Sequence, residues 1–577
     1  MPTERRDLSA PLEKLHPNER LKYASRQLRG TIAQGLADPL TGAISDGDTQ
    51  LTKFFGMYQQ DDRDLRDERR RAKLEPRYQF MVRLRLPGGV CTPSQWLALD
   101  ALARENSDGT LRLTSRQTFQ FHGVLKRNVK RFMRGILAAG LDTMGACGDV
   151  NRNVISTANP FLSPAHAEAT ELAQRISVRL LARTDAFREI FLDEPPAETT
   201  ADEEPLYGRT YLPRKFKIAI AVPPQNDVDA YAHDLGLIAI VENGRIAGYD
   251  VLVGGGMGMT HKVPATFPRL GDLVGFCAPE DAIAVAQHTL SIQRDYGDRA
   301  DRAHARFKYT IEDLGTAWFC EELARRLGKP LQAARPFHFE TSGDGAGWLQ
   351  GRDGLSHYTL FVENGRIADF PHRKLLSGLR AFAERQIGVL ALTTNQNVIL
   401  AGIRAAERPA VEALLEQYGI ENDAGATALR QRSIACVALP TCGLAMAESE
   451  RYLPGLIDKI DAILAATGLT RDSISLRMSG CPNGCSRPYL AEIALVGKAV
   501  GKYNLYLGAS TQGDRLNALY RENIAEAQIL EALRQVLQRY AQERRPAERF
   551  GDFTVRAGIV REMKQGADFQ RELAEAS

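Results

Sequence analysis

The sequence predicts a mixed α/β fold in which one α/β unit occurs twice, related by pseudo-symmetry. Three observations carry that expectation. Leu111-Arg-Leu-Thr-Ser-Arg-Gln117 and Leu390-Ala-Leu-Thr-Thr-Asn-Gln396 share Leu-x-Leu-Thr-x-x-Gln at an offset of 279 residues, and Gly123 and Gly402 match at the same offset. The strands ahead of them fall in register, Tyr78 to Arg83 opposite His357 to Val362. Period-two strand patterns also alternate with capped helical segments along the chain. A site between the two halves follows naturally.

In chain order, the first 77 residues are polar and end in alternating acids and bases from Asp61 to Arg77, the pattern of a solvated helix or arm. An N-terminal arm over 1–77, a candidate for partner docking, is expected. Gln79 to Leu86 reads as a strand closed by Pro87-Gly88-Gly89. Thr92-Pro93-Ser94-Gln95 carries a capping box with proline at the first helical position, so a helix should run to about Glu105. Two strands between 110 and 123, then a helix from about Asn128 that Gly140 ends, complete a unit over 78–144. A larger block over 145–347 carries the strand Lys215 to Val222. It also carries Val241-Glu-Asn-Gly-Arg-Ile246, which returns as Val362-Glu-Asn-Gly-Arg-Ile367 in the second half-unit, 348–421. Asn-Gly between apolar runs suits a tight turn with positive φ at both residues, so two hairpins are expected. Residues 422–577 form the last region.

Length and composition fit this organisation. At roughly 100 to 200 residues per domain, 577 residues hold three to five domains' worth of structure. The 44% hydrophobic and 25% charged content excludes disordered, collagen-like and coiled-coil classes. Lysine and arginine total 74 against 71 acids, a net charge of +3, which gives no global field to recruit nucleic acid or an acidic membrane. The N-terminus has no apolar signal-like stretch and no window approaches 18 consecutive apolar residues, so a soluble, reducing, cytoplasmic setting is expected.

Of eight cysteines, Cys91, Cys147, Cys277 and Cys320 stand singly and read as buried apolar fillers. The other four form two close pairs, Cys436-x5-Cys442 and Cys481-x3-Cys485. Four thiolates suit a soft metal centre. A five-residue gap is wide for a zinc knuckle, so iron–sulfur fits better and zinc remains the second reading. In Ser479-Gly-Cys-Pro-Asn-Gly-Cys485 the glycines let backbone N–H groups turn toward sulfur and Pro482 stiffens the loop.

Local positive charge has a pattern too. Arg83 and Arg85 share one face of their strand, as do Lys215 and Lys217; Arg112 and Thr114, then Thr118, Gln120 and His122, alternate with apolar neighbours. Each pattern alone describes a half-exposed strand. Together, in a chain of net charge +3, they point to a cationic cavity for a polyanion.

Cys436-Val-Ala-Leu-Pro-Thr-Cys442-Gly-Leu-Ala-Met-Ala-Glu448 with Gly480-Cys-Pro-Asn-Gly-Cys485 resembles the sirohaem and [4Fe–4S] signature of the sulfite and nitrite reductase family. Gly56-Met-Tyr-Gln-Gln-Asp-Asp-Arg-Asp64, Leu113-Thr-Ser-Arg-Gln-Thr-Phe-Gln-Phe-His-Gly123 and Phe550-Gly-Asp-Phe-Thr-Val-Arg-Ala-Gly558 look like the haemoprotein subunits of its NADPH-dependent assimilatory branch. Gly443 stands where relatives often have proline, and Ser115 where asparagine is common. The resemblance implies ferredoxin-like halves plus two larger α/β domains around a sirohaem, and reduction of sulfite to sulfide by six electrons for hydrogen sulfide and cysteine biosynthesis. It implies that Cys436, Cys442, Cys481 and Cys485 bind the cluster, the last also bridging to the haem iron. It places Arg83, Arg152, Lys215 and Lys217 around sulfite, with Arg152 read from Asn151-Arg152-Asn153. It gives Arg112, Thr114, Arg116, Gln120, His122 and Gln396 to the macrocycle. Gly254-Gly255-Gly256 would let backbone approach it closely. No FAD, FMN or NADPH motif stands out, so NADPH would be oxidised by a separate flavoprotein subunit in a hetero-oligomer, docked by the N-terminal arm. A sirohaem nitrite reductase, a ferredoxin-fed sulfite reductase and a non-catalytic iron–sulfur or zinc protein remain as alternatives.

Overall fold

The structure, a computed structural model, describes residues 10–195, 204–420, 426–563 and 566–569. The first unit contains helix α1 (Pro17–Ala24) and strands β1 (Met57–Asp61) and β2 (Tyr78–Arg83), followed by β3 (Val90–Cys91), α2 (Pro93–Asn106), β4 (Leu111–Leu113), β5 (Phe119–Val124) and α3 (Val129–Ala138). The expected capping box is present in both directions: Gln95 N donates to Thr92 Oγ1 at 3.3 Å, and Thr92 N to Gln95 Oε1 at 3.0 Å. Trp96, Leu99 and Ala103 of α2 are buried in the core. Gly140 takes φ +70° just beyond α3, as read from the sequence.

The arm over 1–77 needs correction. Residues 1–9 lie outside the described residues, but Leu28, Ile32, Leu51, Phe54, Phe55 and Met57 are buried in the main core and β1 pairs along β2. These apolar residues come in short runs at helical spacing, Leu28 with Ile32 and Leu51 with Phe54 and Phe55, separated by polar stretches that mask them in the sequence. Within the charge run the helix Arg66–Arg71 buries nothing, as expected of a solvated face, whereas Asp61 ends β1 and half-buried Arg63 donates to Ala445 O at 2.7 Å.

The first larger domain is a sheet of β6 (Ile155–Ser156), β7 (Ile218–Ala221), β8 (Leu235–Glu242), β9 (Arg245–Val253) and β10 (Asp272–Cys277), with helices α4 (Pro164–Arg179) and α5 (Ala282–Tyr296). β8 and β9 form the expected hairpin, with Asn243 at φ +53° and Gly244 at +77°. The strand read from Lys215 begins only at Ile218. Lys215 and Lys217 flank Phe216, which bridges Asn151.

The second half-unit contains β11 (Gly347–Gln350), β12 (Leu355–Leu360), β13 (Arg366–Ile367), a ribbon of β14 (Asp369–Phe370) and β15 (Arg373–Lys374), α6 (Leu375–Glu384), β16 (Val389–Leu392), β17 (Val398–Arg404) and α7 (Arg408–Tyr418). Its Asn-Gly turn forms, with Asn364 at φ +51° and Gly365 at +74°, but the second hairpin does not. β13 leaves its own half and pairs with β4, Arg366 opposite Arg112. Reciprocally, β3 pairs with β16, Cys91 opposite Leu390. The two half-sheets, β1-β2-β5-β4-β13 and β11-β12-β17-β16-β3, therefore exchange their last strands. Glycine permits the crossing: a Cβ on Gly365 would lie 2.6 Å from Leu113 O, and one on Gly89 would lie 2.9 Å from Leu392 O.

The last domain, β18 (Ser433–Ala435), β19 (Leu476–Ser479), β20 (Ile493–Ala499), β21 (Lys502–Leu507) and β22 (Ala518–Ile524), repeats the first larger domain. Both sheets run parallel through their first three strands and antiparallel through the rest. Ile155 faces Ala219 in one as Ile434 faces Arg477 in the other. Helices α8 (Leu453–Thr467) and α9 (Glu526–Glu543) contribute to a separate core in this domain. Among the described residues no helix is long and apolar enough to cross a membrane.

Candidate functional site

The site lies where the loops after β18 and β19 meet the first half-unit. Cys436 and Cys442 follow β18; Cys481 and Cys485 follow β19. Burial and the neighbouring Cys485 push the Cys436 and Cys481 thiols up to about 12, and raise Cys442 as well. The four sulfurs therefore share one neighbourhood. Among the described residues no three His, Cys, Asp or Glu side chains are arranged to hold a single metal ion. Gly480 N donates to Cys436 Sγ at 3.2 Å, and Asn483 Nδ2 lies 3.7 Å from Cys481 Sγ. Such N–H donors stabilise the thiolate form that a cluster requires. The donor set fits a polynuclear iron–sulfur group.

Cys485 is the exposed member of the four. Its carbonyl accepts from Ser115 Oγ at 2.8 Å, tying the loop to the first half-unit, and Arg83 and Lys217 both feel its charge. Those two cations belong to the predicted set, whose members come from β2, the loop at Arg152 and the segment before β7 and lie close enough to influence one another and Arg116. Arg83 donates to Cys147 Sγ at 2.8 Å, and in the amide orientation that satisfies both groups the Gln120 oxygen accepts from Arg83 Nε at 3.3 Å. Arg152 is anchored through Nε to Gly148 O at 2.8 Å. Burial, then Arg214 and Lys217, push the Lys215 ammonium well below its ordinary range; burial, Arg116 and Arg306 do the same to Lys217. Burial and like charge thus disfavour the two ammonium forms, and an anion bound among these four side chains would offset both effects.

Arg116 reaches the same space. Burial, Arg487 and Arg152 lower it to about 9, its fork donates to Asn153 O and Ile218 O, and NH1 lies 3.3 Å from His233 Nδ1. Since His233 Nε2 faces Val228 O at 2.9 Å, its proton sits there and Nδ1 accepts from Arg116. Thr114 Oγ1 accepts from Arg116 N at 3.1 Å. Among the described residues both ring nitrogens of His122, Arg116 Nε and Gln396 Oε1 are buried without a partner. Of these, the Arg116 Nε–H and an N–H of His122 are donors that suit a carboxylate-bearing macrocycle.

Two sequence readings change here. Arg85 leaves the shared face of Arg83, because the strand ends at Arg83 and Arg85 pairs with Asp142 at 2.7 Å. Arg112, expected at the macrocycle, has other partners: Nε meets Glu450 at 2.7 Å and NH2 donates to Ala435 O at 2.8 Å. Against the upward push of burial, Arg112 and Arg366 hold Glu450 down at about 2. The glycines 254–256 do permit close approach, but of the chain to itself: a Cβ on Gly255 would lie 2.2 Å from Tyr231 O.

Two further residues, Cys147 and Asp149, belong to the site with little sequence pattern of their own. Cys91 and Cys277 are core fillers as expected. Cys147 is not: its sulfur takes the Arg83 contact and lies beside the Tyr58 side chain. Its setting in Gly145-Ala-Cys-Gly148 was the available signal, since a filler does not need glycines on both sides. Asp149, beside it, gathers Lys22 of α1 at 3.4 Å, Arg302 at 3.0 Å and Arg214 at 3.8 Å, so the supposed arm buttresses the loop that carries Arg152.

Comparison with known proteins agrees with this geometry. The family model for the nitrite/sulfite reductase ferredoxin-like half domain matches residues 72–139 and 349–418. The nitrite and sulphite reductase 4Fe-4S domain model matches 171–331, in the first of the two equivalent domains, whereas the paired cysteines lie in the second. Proteins named sulfite reductase (NADPH) hemoprotein beta-component are similar throughout: that of Geobacillus kaustophilus is 55% identical over 98% of this chain and 99% of its own, and that of Chromohalobacter salexigens 56% identical over 98% of each. The solved structure of Mycobacterium tuberculosis NirA protein superposes with a TM-score of 0.77 over 95% of this chain and 98% of its own, at 24% identity, and so shares the fold. Paired half-domains, duplicated sheets and near full-length similarity lead to one conclusion: the chain belongs to the nitrite and sulphite reductase family.

Proposed function

We propose that the chain reduces sulfite to sulfide by six electrons in assimilatory sulfur metabolism. It holds one sirohaem in the cationic cavity and one [4Fe–4S] cluster on Cys436, Cys442, Cys481 and Cys485, and takes electrons from NADPH through a flavoprotein partner in a hetero-oligomer. The observation that carries this reading is the position of Cys485, which neighbours the other three thiols and also the cations Arg83 and Lys217. Relatives more than half identical are named for sulfite rather than nitrite, which favours sulfite as substrate. The sirohaem and cluster, when bound, supply the substrate-binding iron and the electron path to it.

The chain's own residues supply charge and protons. Arg83 and Arg152 are oriented by Cys147, Gln120 and Gly148 O and offer their forks to an oxyanion, each charged hydrogen bond contributing about 1.5–3 kcal/mol. Thr114, Arg116, Gln120, His122 and Gln396 are assigned to the macrocycle on the family resemblance, supported for Arg116 and His122 by buried nitrogens that have no protein partner among the described residues. Arg112 instead clamps the half-unit to β18 through Glu450. Lys215 and Lys217 are proton carriers. Their ammonium forms are disfavoured by burial and like charge, so an incoming anion reverses the balance and raises both pKa values. Sulfite binding should then take up protons and leave them on Nζ beside oxygens that depart as water. Calorimetry in buffers of differing ionisation enthalpy should show net proton uptake; binding with no uptake would contradict the role. Lys217→Met should retain both cofactors, lose about 10²–10⁴-fold in turnover and release partly reduced sulfur species. Full sulfide yield at the normal rate would exclude Lys217 as a donor. The reading as a whole is tested by sulfite-dependent oxidation of a chemical reductant with sulfide as product, and by comparing kcat/KM for sulfite and nitrite.

A further inference from the structure

The pseudo-symmetry that relates the two halves gives the cationic site a counterpart. The 279-residue repeat and the strand registers put Thr393, Asn395, Gln431, Arg432 and Ser475 where the first cavity has Thr114, Arg116, Arg152, Asn153 and Lys217. All but Thr393 line a common space with Asp344. Arg116, Arg152 and Lys217 are thus replaced by Asn395, Gln431 and Ser475. Arg477, also facing this space, is committed to Asp229. Arg432 donates to Ser342 O while its Nε is buried without a partner.

The segment between the first larger domain and the second half-unit enters this space. Glu340 N donates to Pro224 O and Asn226 N to Thr341 O, both at 2.8 Å. The Asp344 carboxylate then accepts from Thr393 Oγ1 at 2.5 Å and from the Asn395 and Asn397 side-chain amides at 2.9 Å each. These donors are held in place independently. Thr393 Oγ1 accepts from Asn397 N at 3.1 Å and Asn395 N at 3.2 Å, and Asn397 Oδ1 accepts from Val362 N at 3.0 Å. Three preorganised donors converging on one carboxylate are a built anion site. With Asp344 in place the remaining cavity is about 20 Å³, room for one water.

We propose that Asp344 is an internal ligand occupying a dormant anion site, and that removing its side chain opens the site to a small carboxylate such as formate. The duplicated scaffold would then carry two anion sites, one open for catalysis and one closed by the chain itself. The test is thermal unfolding of the holoenzyme with sodium formate titrated against sodium chloride at equal ionic strength. Asp344→Ala should unfold several degrees below wild type, and formate should restore most of that loss saturably while leaving wild type unmoved. Asp344→Asn should be destabilised without rescue, because its NH2 faces donors and its bulk still fills the space. Recovery of folded Asp344→Ala only from medium containing formate would be the extreme form of the same result. Wild-type stability of Asp344→Ala, equal formate effects on wild type and variant, rescue of Asp344→Asn to the same degree, or failure to recover Asp344→Ala even with formate would each overturn the proposal.

Discussion

Cys485→Ser is expected to abolish sulfite turnover in a chain that stays folded. The thiol is exposed to the cavity and packs into no core, so its loss removes little apolar burial. What fixes the loop is backbone that serine preserves: the carbonyl accepting from Ser115, and Gly484 at φ +60°, where a side chain would be strained. The change is therefore confined to a ligand. Purified variant should melt like wild type once both are stripped of cofactors, yet contain less acid-labile sulfide and show an altered visible spectrum. Normal turnover with an unaltered spectrum would remove Cys485 from the cluster.

Asp229→Ala should have the largest effect on stability. This carboxylate is 1% exposed and pairs with Arg477 at 2.5 Å and with Arg487 Nε. Arg487 also donates to Ser115 O at 2.8 Å and Thr394 O at 3.0 Å, so one guanidinium joins both half-units to the cluster loop. Removing Asp229 leaves two buried cations uncompensated, a loss of about 3–5 kcal/mol in denaturant unfolding. A change below 1 kcal/mol would show that the arginines find other partners. The sign with pH follows. Against burial, Arg477 and Arg487 hold this carboxyl below its ordinary value, so its contribution is fully present above about pH 4 and is lost as pH falls through the depressed native value. Asp229→Ala should accordingly flatten the acid limb of the stability profile.

Local features of this fold were legible wherever neighbouring residues decide them. The Thr92–Gln95 capping box and the Asn243-Gly244 hairpin are settled within a few residues, and both stand as read. The second Asn-Gly turn was read equally well, but which strand receives the outgoing chain depends on the far side of the molecule, and β13 went to β4. Duplication of the half-units survived in Leu-x-Leu-Thr-x-x-Gln because Gln117 and Gln396 do the same task in each, donating through Nε2 to Ser156 O and Ala435 O at 2.9 and 2.8 Å. Duplication of the larger domains was hidden, since one copy places Lys217 where the other places Ser475. For the site, clustered cysteines announced themselves through spacing. Cys147 and Asp149 did not, because their partners, Arg83 and Lys22, lie far away in sequence.

The proposed function requires a haem iron and a four-iron cluster together in one chain, beside the cations Arg83, Arg152, Lys215 and Lys217. Iron and acid-labile sulfide analysis of the purified chain, read together with its visible spectrum, tests it most directly. About five iron atoms and four acid-labile sulfides per chain are expected, with haem absorption that shifts when sulfite is added. Zinc in place of iron, or iron and sulfide with no haem band in a fully loaded preparation, would contradict it.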